Sequence, residues 1–140
     1  MPCVGLSMLA PGGVLFVSMA KARPLALIIE DNPASAEALA FILNDWGADV
    51  VIAHTEVEAS AAIAPRLSDL NWIITDFHLG DGPNGISVVK RLSSTAPRAR
   101  VLVLSGSFHG RATAAAALNG YEVMQKPARA EAIVTWLERA

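Results

Sequence analysis

Five polar residues stand where apolar runs of this chain end: Glu30, Asp31, Asp76, Ser105 and Lys126. The adjacent carboxylates Glu30 and Asp31 follow "LALII" (25–29), and Asp76 closes "NWIIT" (71–75). Ser105 ends "RVLVLS" (100–105), and Lys126 follows "YEVMQ" (121–125). Three carboxylates gathered within a few ångströms repel by roughly 4 kcal/mol per pair at an effective dielectric of about 20. A divalent cation removes that conflict. Oxygen donors with no cysteine among them favour Mg2+ or Mn2+ over zinc. Adding a lysine and a hydroxyl gives the parts of a phosphoryl-transfer centre. The middle carboxylate is then a nucleophile that can form an aspartyl phosphate. Lys126 would balance charge on the phosphoryl oxygens, and Ser105 would donate a hydrogen bond to one of them. Gly106 has no side chain and leaves room beside them.

This chemistry requires elements that bring distant residues to one rim, and the sequence pattern supplies them. From Pro24 onward, apolar runs alternate with helical patterns. "LALII" reads as a buried strand. "PASAEALAFILNDW" (33–46) has helical spacing, with Pro33 suited to the first helical position and Gly47 to the stop. "ADVVIA" (48–53) is a second strand. Thr55 caps a helix through about Leu67, with Glu58 completing a capping box. "NWIIT" is a third strand, and Asn84 caps "GISVVKRLSST". "RVLVLS" is a fourth strand, followed by a short Ala-rich helix from about His109 to Leu118. "YEVMQ" is a fifth strand, and "ARAEAIVTWLERA" closes the chain as a helix with Ile133, Trp136 and Leu137 on one stripe. Trp46 and Trp72, like Trp136, read as packing groups.

Five strands alternating with five helices predict an α/β fold, a doubly wound parallel sheet with helices on both faces. Right-handed crossovers leave few topologies. Ligands in such sheets bind outside the carboxyl ends of the strands, which is where all five polar groups fall.

Composition sets outer limits. At 140 residues the chain suits one domain. Apolar residues form 53% and charged ones 17%, which indicates a globular chain rather than a disordered one. A net charge of −2 gives no support for nucleic-acid binding. Charge is unevenly spread: residues 24–76 hold nine acidic side chains against one basic, Arg66, while 77–140 hold four acidic against eight basic. The single cysteine, Cys3, leaves no disulfide framework and no cysteine zinc site. Residues 1–23 read as a leader preceding a domain over 24–140. The leader is apolar but interrupted by Pro11, Gly12 and Gly13, so it does not read as a membrane span. Lys21 and Arg23 follow its apolar run instead of preceding it, unlike a signal peptide. A cytoplasmic protein is expected.

The pieces "IIEDN", "ITDFHL", "VLVLSGS" and "QKP", in order at successive strand ends, resemble the receiver domains of two-component response regulators. The resemblance runs over 24–140 and implies the flavodoxin-like strand order 2-1-3-4-5. It implies Asp76 as phosphoacceptor and Glu30 with Asp31 as the acidic pair that organises Mg2+. It also implies the backbone carbonyl of His78 as a further metal ligand, Ser105 as the switch hydroxyl, and Lys126 ahead of a cis-bonded Pro127. The partners implied are a histidine kinase or histidine phosphotransfer protein as donor. A downstream protein target would be reached through the face of helix 4, strand 5 and helix 5. With no output domain after residue 140, a stand-alone, non-DNA-binding type is expected. It would catalyse its own aspartyl phosphorylation and dephosphorylation and otherwise not be an enzyme. The alternatives are a non-switching module or phosphate sink, or a receiver excised from a hybrid kinase.

The chain departs from the family pattern in three places. Gly80 stands where a proline is usual after Leu79. The loop "GDGPNG" is one residue longer before Gly85. Val123 occupies the usual place of the switch aromatic, and Tyr121 lies one residue pair further from the site. Other classes fit less well. A dehalogenase-type hydrolase usually has a second Asp where His78 stands, and a nucleotide-binding flavodoxin-like fold needs a phosphate loop where "EDNPAS" is acidic. His54 and His109 read as surface residues, and His78 as a residue that tunes phosphate lifetime.

Overall fold

The computed structural model describes residues 8–9, 15–16, 23–79, 84–106 and 111–139. Expectations for His109 and for the loop from Gly80 to Pro83 lie outside the described residues. Five parallel strands form the central sheet: β1 (Leu25–Ile29), β2 (Asp49–Ala53), β3 (Leu70–Asp76), β4 (Arg100–Ser105) and β5 (Glu122–Gln125). Their order is β2-β1-β3-β4-β5, the expected 2-1-3-4-5. The helices are α1 (Pro33–Trp46), α2 (Glu56–Ile63), α3 (Gly85–Ser93), α4 (Arg111–Leu118) and α5 (Ala130–Glu138). Met8–Leu9 pairs antiparallel with Leu15–Phe16 in a separate ladder that is not part of this sheet.

The strand period of two sorts the core into two layers. Leu25, Leu27, Ile29, Ile73, Val101 and Val103 share one cluster with Ala59 and Ile63 of α2, Ile86, Val89 and Leu92 of α3, and Ala116 of α4. Ala26, Ile28, Trp72, Ile74, Leu102 and Leu104 share the other with Leu39 and Leu43 of α1 and Ile133, Trp136 and Leu137 of α5. The three tryptophans pack as a chain that links α1, β3 and α5. Trp46 meets Trp72 edge-on at 5.6 Å between centroids, and Trp136 lies 6.5 Å from Trp72. Arg100 stacks 4.6 Å over Trp136 and donates to the carbonyls of Trp136 and Arg139, so it caps the end of α5.

Local signals fix the element ends. The Asn32 side chain accepts from the Ser35 N–H, Pro33 opens α1, and Gly47 ends it at φ 124°. Thr55 and Asn84 cap α2 and α3 as their sequences indicate. The capping box of α2 is shifted by one residue, because Glu58 accepts from the N–H of His54 and not from that of Thr55. One element is shorter than expected. The helix predicted through about Leu67 stops at Ile63 and tightens into a 3-10 turn over Ala64–Asp69, with Arg66 outside helical dihedrals. Pro65 explains this, since its ring clashes with the carbonyl four residues back and it lacks an N–H. β3 gains Leu70 at its start, and β5 begins at Glu122, one residue after Tyr121.

Candidate functional site

Parallel pairing sets the ends of β1, β3, β4 and β5 side by side. Ile29 lies opposite Thr75, Asp76 opposite Leu104, and Ser105 opposite Gln125. Two backbone bonds carry the sheet past its last paired residues. The Glu30 N–H donates to the Ala53 carbonyl at 2.9 Å, and the Lys126 N–H donates to the Ser105 carbonyl at 2.8 Å. With the pleat continued, Glu30, Asp76 and Lys126 fall on the parity of Ile28, Ile74 and Met124, the α1/α5 side. Ser105 falls on the opposite parity, with Val103 and Val123.

That shared parity brings three charged groups into contact. Lys126 Nζ lies 3.0 Å from Glu30 Oε1 and 3.2 Å from Asp76 Oδ2. Glu30 is 4% exposed and Asp76 8%, whereas the Asp31 side chain is exposed. Carboxylate oxygens of Glu30, Asp31 and Asp76 all lie within 4.8 Å of one another. One ammonium thus faces three carboxylates. Burial raises the Glu30 carboxyl above the ordinary carboxylate range, and the charge of Asp76 adds to this. The hydrogen bonds from Lys126 and from the Asn32 N–H oppose it without cancelling it. Burial also works against the Lys126 ammonium. The hydrogen bond to Glu30 and the charges of Asp76 and Glu30 outweigh it, and Lys126 is held above its usual pKa. An excess of negative oxygen donors within 4.8 Å of one another, without thiolate or imidazole in the cluster, fits a hard divalent cation.

The surrounding backbone holds Asp76 closely. Its carbonyl accepts from the Thr75 hydroxyl at 3.0 Å, and its Oδ1 lies 3.4 Å from the His78 N–H. The Gly85 N–H donates to the Phe77 carbonyl at 2.8 Å. A Cβ on Gly85 would lie 2.0 Å from the Asp76 carbonyl oxygen, so only glycine allows α3 to start this close. Among the described residues nothing lies within 4 Å of where a Cβ on Gly106 would be, so no close approach there requires glycine. The Lys126–Pro127 bond is cis, as the resemblance implies.

The predicted residues separate into two groups. Glu30, Asp31, Asp76 and Lys126 converge, and Ser105 is joined to them through the Lys126 backbone. His78 has an exposed side chain whose ring meets the edge of Phe77 at 4.9 Å. Val123 and Tyr121 lie on the other layer, packed against the cluster that includes Val103 and Ala116. Tyr121 precedes β5, four residues before Gln125, roughly 13 Å along the strand from the rim. One site contact was not foreseen: the ring of His54, read as a surface residue, lies 2.8 Å from the Glu30 carbonyl. Its position just after β2, beside the strand that Glu30 follows, is the only signal the sequence offers for it.

Comparison with known proteins agrees with this geometry. Residues 26–138 match the family described as response regulator receiver domain. The photosynthetic apparatus regulatory protein RegA of Rhodobacter capsulatus is 35% identical over 124 residues, 87% of this chain. The chain spans 65% of that relative's length. A response regulator from Burkholderia pseudomallei, solved with a phosphorylated aspartic acid, a calcium ion and citrate, superposes with a TM-score of 0.71 at 32% identity. That match covers 81% of this chain and 66% of the other. The Vibrio cholerae chemotaxis protein CheY4 superposes at a TM-score of 0.74 over 84% of this chain and 98% of its own, and at 21% identity it speaks for the fold alone. With the family matched over nearly the whole sheet and the acidic cluster at its strand ends, this chain belongs to the response regulator receiver domains of two-component signalling.

Proposed function

We propose that Asp76 is the phosphoacceptor of this receiver domain and that it takes a phosphoryl group from a phosphohistidine. The observation that carries this is the Lys126 ammonium held between Glu30 and Asp76, with the oxygens of Asp31 alongside. An Asp76 carboxylate oxygen attacks phosphorus as the P–N bond breaks, and the electron pair leaves with the donor imidazole, which takes up a proton. Lys126 meets the charge of the phosphoryl oxygens from the side it already occupies. Ser105, 2% exposed, donates a hydrogen bond to one of them. Glu30, Asp31 and Asp76, with the His78 carbonyl, would hold Mg2+, which when bound supplies positive charge against the phosphoryl oxygens. The Burkholderia relative, whose structure holds a phosphorylated aspartic acid and a calcium ion, supports both the acceptor chemistry and a hard cation. No described helix is long and apolar enough to cross a membrane.

The donor is a histidine kinase or a histidine phosphotransfer protein, and output passes to a protein target through the α4–β5–α5 face. A second reading, a phosphate sink without switching, is favoured by Val123 in place of the aromatic. Incubation with Mg2+ and a small acyl phosphate, followed by intact mass, tests the acceptor. The wild-type protein should gain one phosphoryl group and Asp76→Asn none. Uptake by Asp76→Asn at the wild-type rate would refute the assignment.

A further inference from the structure

The acidic pair must keep a fixed direction, although it sits where a strand gives way to a turn. Glu30 follows β1 directly, and α1 does not begin until Pro33. Its backbone is tied on both sides to the end of β2, through the last strand residue and the one after it. The Glu30 N–H donates to the Ala53 carbonyl at 2.9 Å, and the Glu30 carbonyl faces His54 Nδ1 at 2.8 Å. A carbonyl can only accept, so Nδ1 carries the proton and donates.

His54 is itself held from the far side. Its N–H donates to Glu58 Oε1 at 2.9 Å, and Thr55 Oγ1 accepts the Glu58 N–H at 3.1 Å. The capping box of α2, shifted by one residue, therefore grips His54 and not the cap residue, and the imidazole passes that restraint to Glu30. The Glu30–Asp31 peptide, which orients both carboxylates, is fixed through its carbonyl. A side chain one strand away, with no contact to the reacting group, thus sets the direction of two proposed metal ligands.

We propose that His54 is a positioning residue for the acidic pair, its Nδ1–H holding the Glu30 carbonyl so that Glu30 and Asp31 present their carboxylates to Asp76. This rests on the reading of Glu30 and Asp31 as metal ligands. Groups that orient metal ligands typically account for 10–100-fold in metal affinity. Mg2+ titration followed by backbone amide NMR shifts tests it on the whole chain, with no phosphodonor present. His54→Ala should weaken Mg2+ binding about tenfold. His54→Asn can place an amide N–H near the Nδ1 position and should recover most of that loss. Denaturant midpoints of both variants should stay close together, so that affinity and stability separate. Equal Mg2+ affinity in wild type and His54→Ala overturns the inference alone and leaves the acceptor reading intact. Equal weakening in His54→Ala and His54→Asn also overturns it, because the hydrogen bond would then not be the cause. Absence of Mg2+ binding by the wild-type protein overturns both this inference and the metal-ligand reading beneath it.

Discussion

At the scale of single residues, the site is an imbalance of charge around two buried carboxylates, Glu30 and Asp76. Lys126 is the one cation in contact with Glu30 and Asp76 among the described residues. Lys126→Ala would leave Glu30 buried beside Asp76 with, among the described residues, only the Asn32 N–H in support. Loss of a partner to a buried group costs about 1–3 kcal/mol, and the 30% exposure of Lys126 places the effect low in that range. The sign of the pH dependence follows from Glu30. Its pKa is raised on folding, so its contribution is fully present below the unfolded value of 4.5 and is lost as pH rises through the folded value. Removing Lys126 raises that folded value further. The stability gap between wild type and Lys126→Ala should therefore be widest near neutral pH and narrow on acidification, measured by urea unfolding with chelator present. A gap independent of pH would mean that Lys126 supports the fold by packing alone.

At the scale of elements, each strand end and helix start has a specific job, and Gly85 shows how tight the tolerances are. Its absent Cβ lets α3 begin against the Asp76 carbonyl, where Thr75 Oγ1 would also lie 2.7 Å from an added methyl. Both neighbours are buried strand atoms with little freedom to move. Gly85→Ala should cost about 1–3 kcal/mol by overpacking and slow labelling of Asp76, read by denaturation and by intact mass against time. Normal stability and normal labelling together would show that α3 can shift without moving the acceptor. Much of this was legible in the sequence. Asn32, Thr55 and Asn84 announced helix starts and Gly47 a stop, because capping depends on local chemistry. The rim was legible because strand ends in a doubly wound sheet share one edge. Pro65 is a local signal for the early stop of α2, because its ring and missing N–H end a helix within a turn. The His54 contact was not legible, since it depends on a side-chain direction between neighbouring strands that no pattern encodes. The departure from an ideal capping box has the same origin.

At the scale of the whole molecule, two features lie outside the acceptor chemistry: the segment before Pro24 and the route of output. The Met8–Leu9 and Leu15–Phe16 ladder is separate from the main sheet, and the Arg23 contacts to Asp49 and Ala48 survive removal of residues 1–19. That deletion should change stability by no more than about 0.5 kcal/mol in urea unfolding, and a larger loss would mean that this segment docks on the domain. Output poses the harder question. A phosphoryl group on Asp76 adds about −1.5 to −2 charge to a rim already rich in carboxylates. Lys126 and Ser105 must answer it. They are joined by the Lys126 N–H bond to the Ser105 carbonyl, so movement of either draws the ends of β4 and β5 together. On the proposed reading the path to α4 would run through Val123, half-buried opposite Val103, because Tyr121 stands four residues before Gln125, roughly 13 Å back along the chain. Valine has little rotamer freedom to rotate in or out. The response at α4 and β5 should therefore be a small backbone shift and not a ring exchange. Amide NMR of the phosphorylated protein should show perturbations at Ser105 and Lys126 that fade toward Arg111–Leu118. Tyr121→Phe and Tyr121→Ala should leave that pattern in place. Loss of the α4 shifts in Tyr121→Ala, with labelling of Asp76 intact, would instead place the aromatic on the signalling path despite its distance.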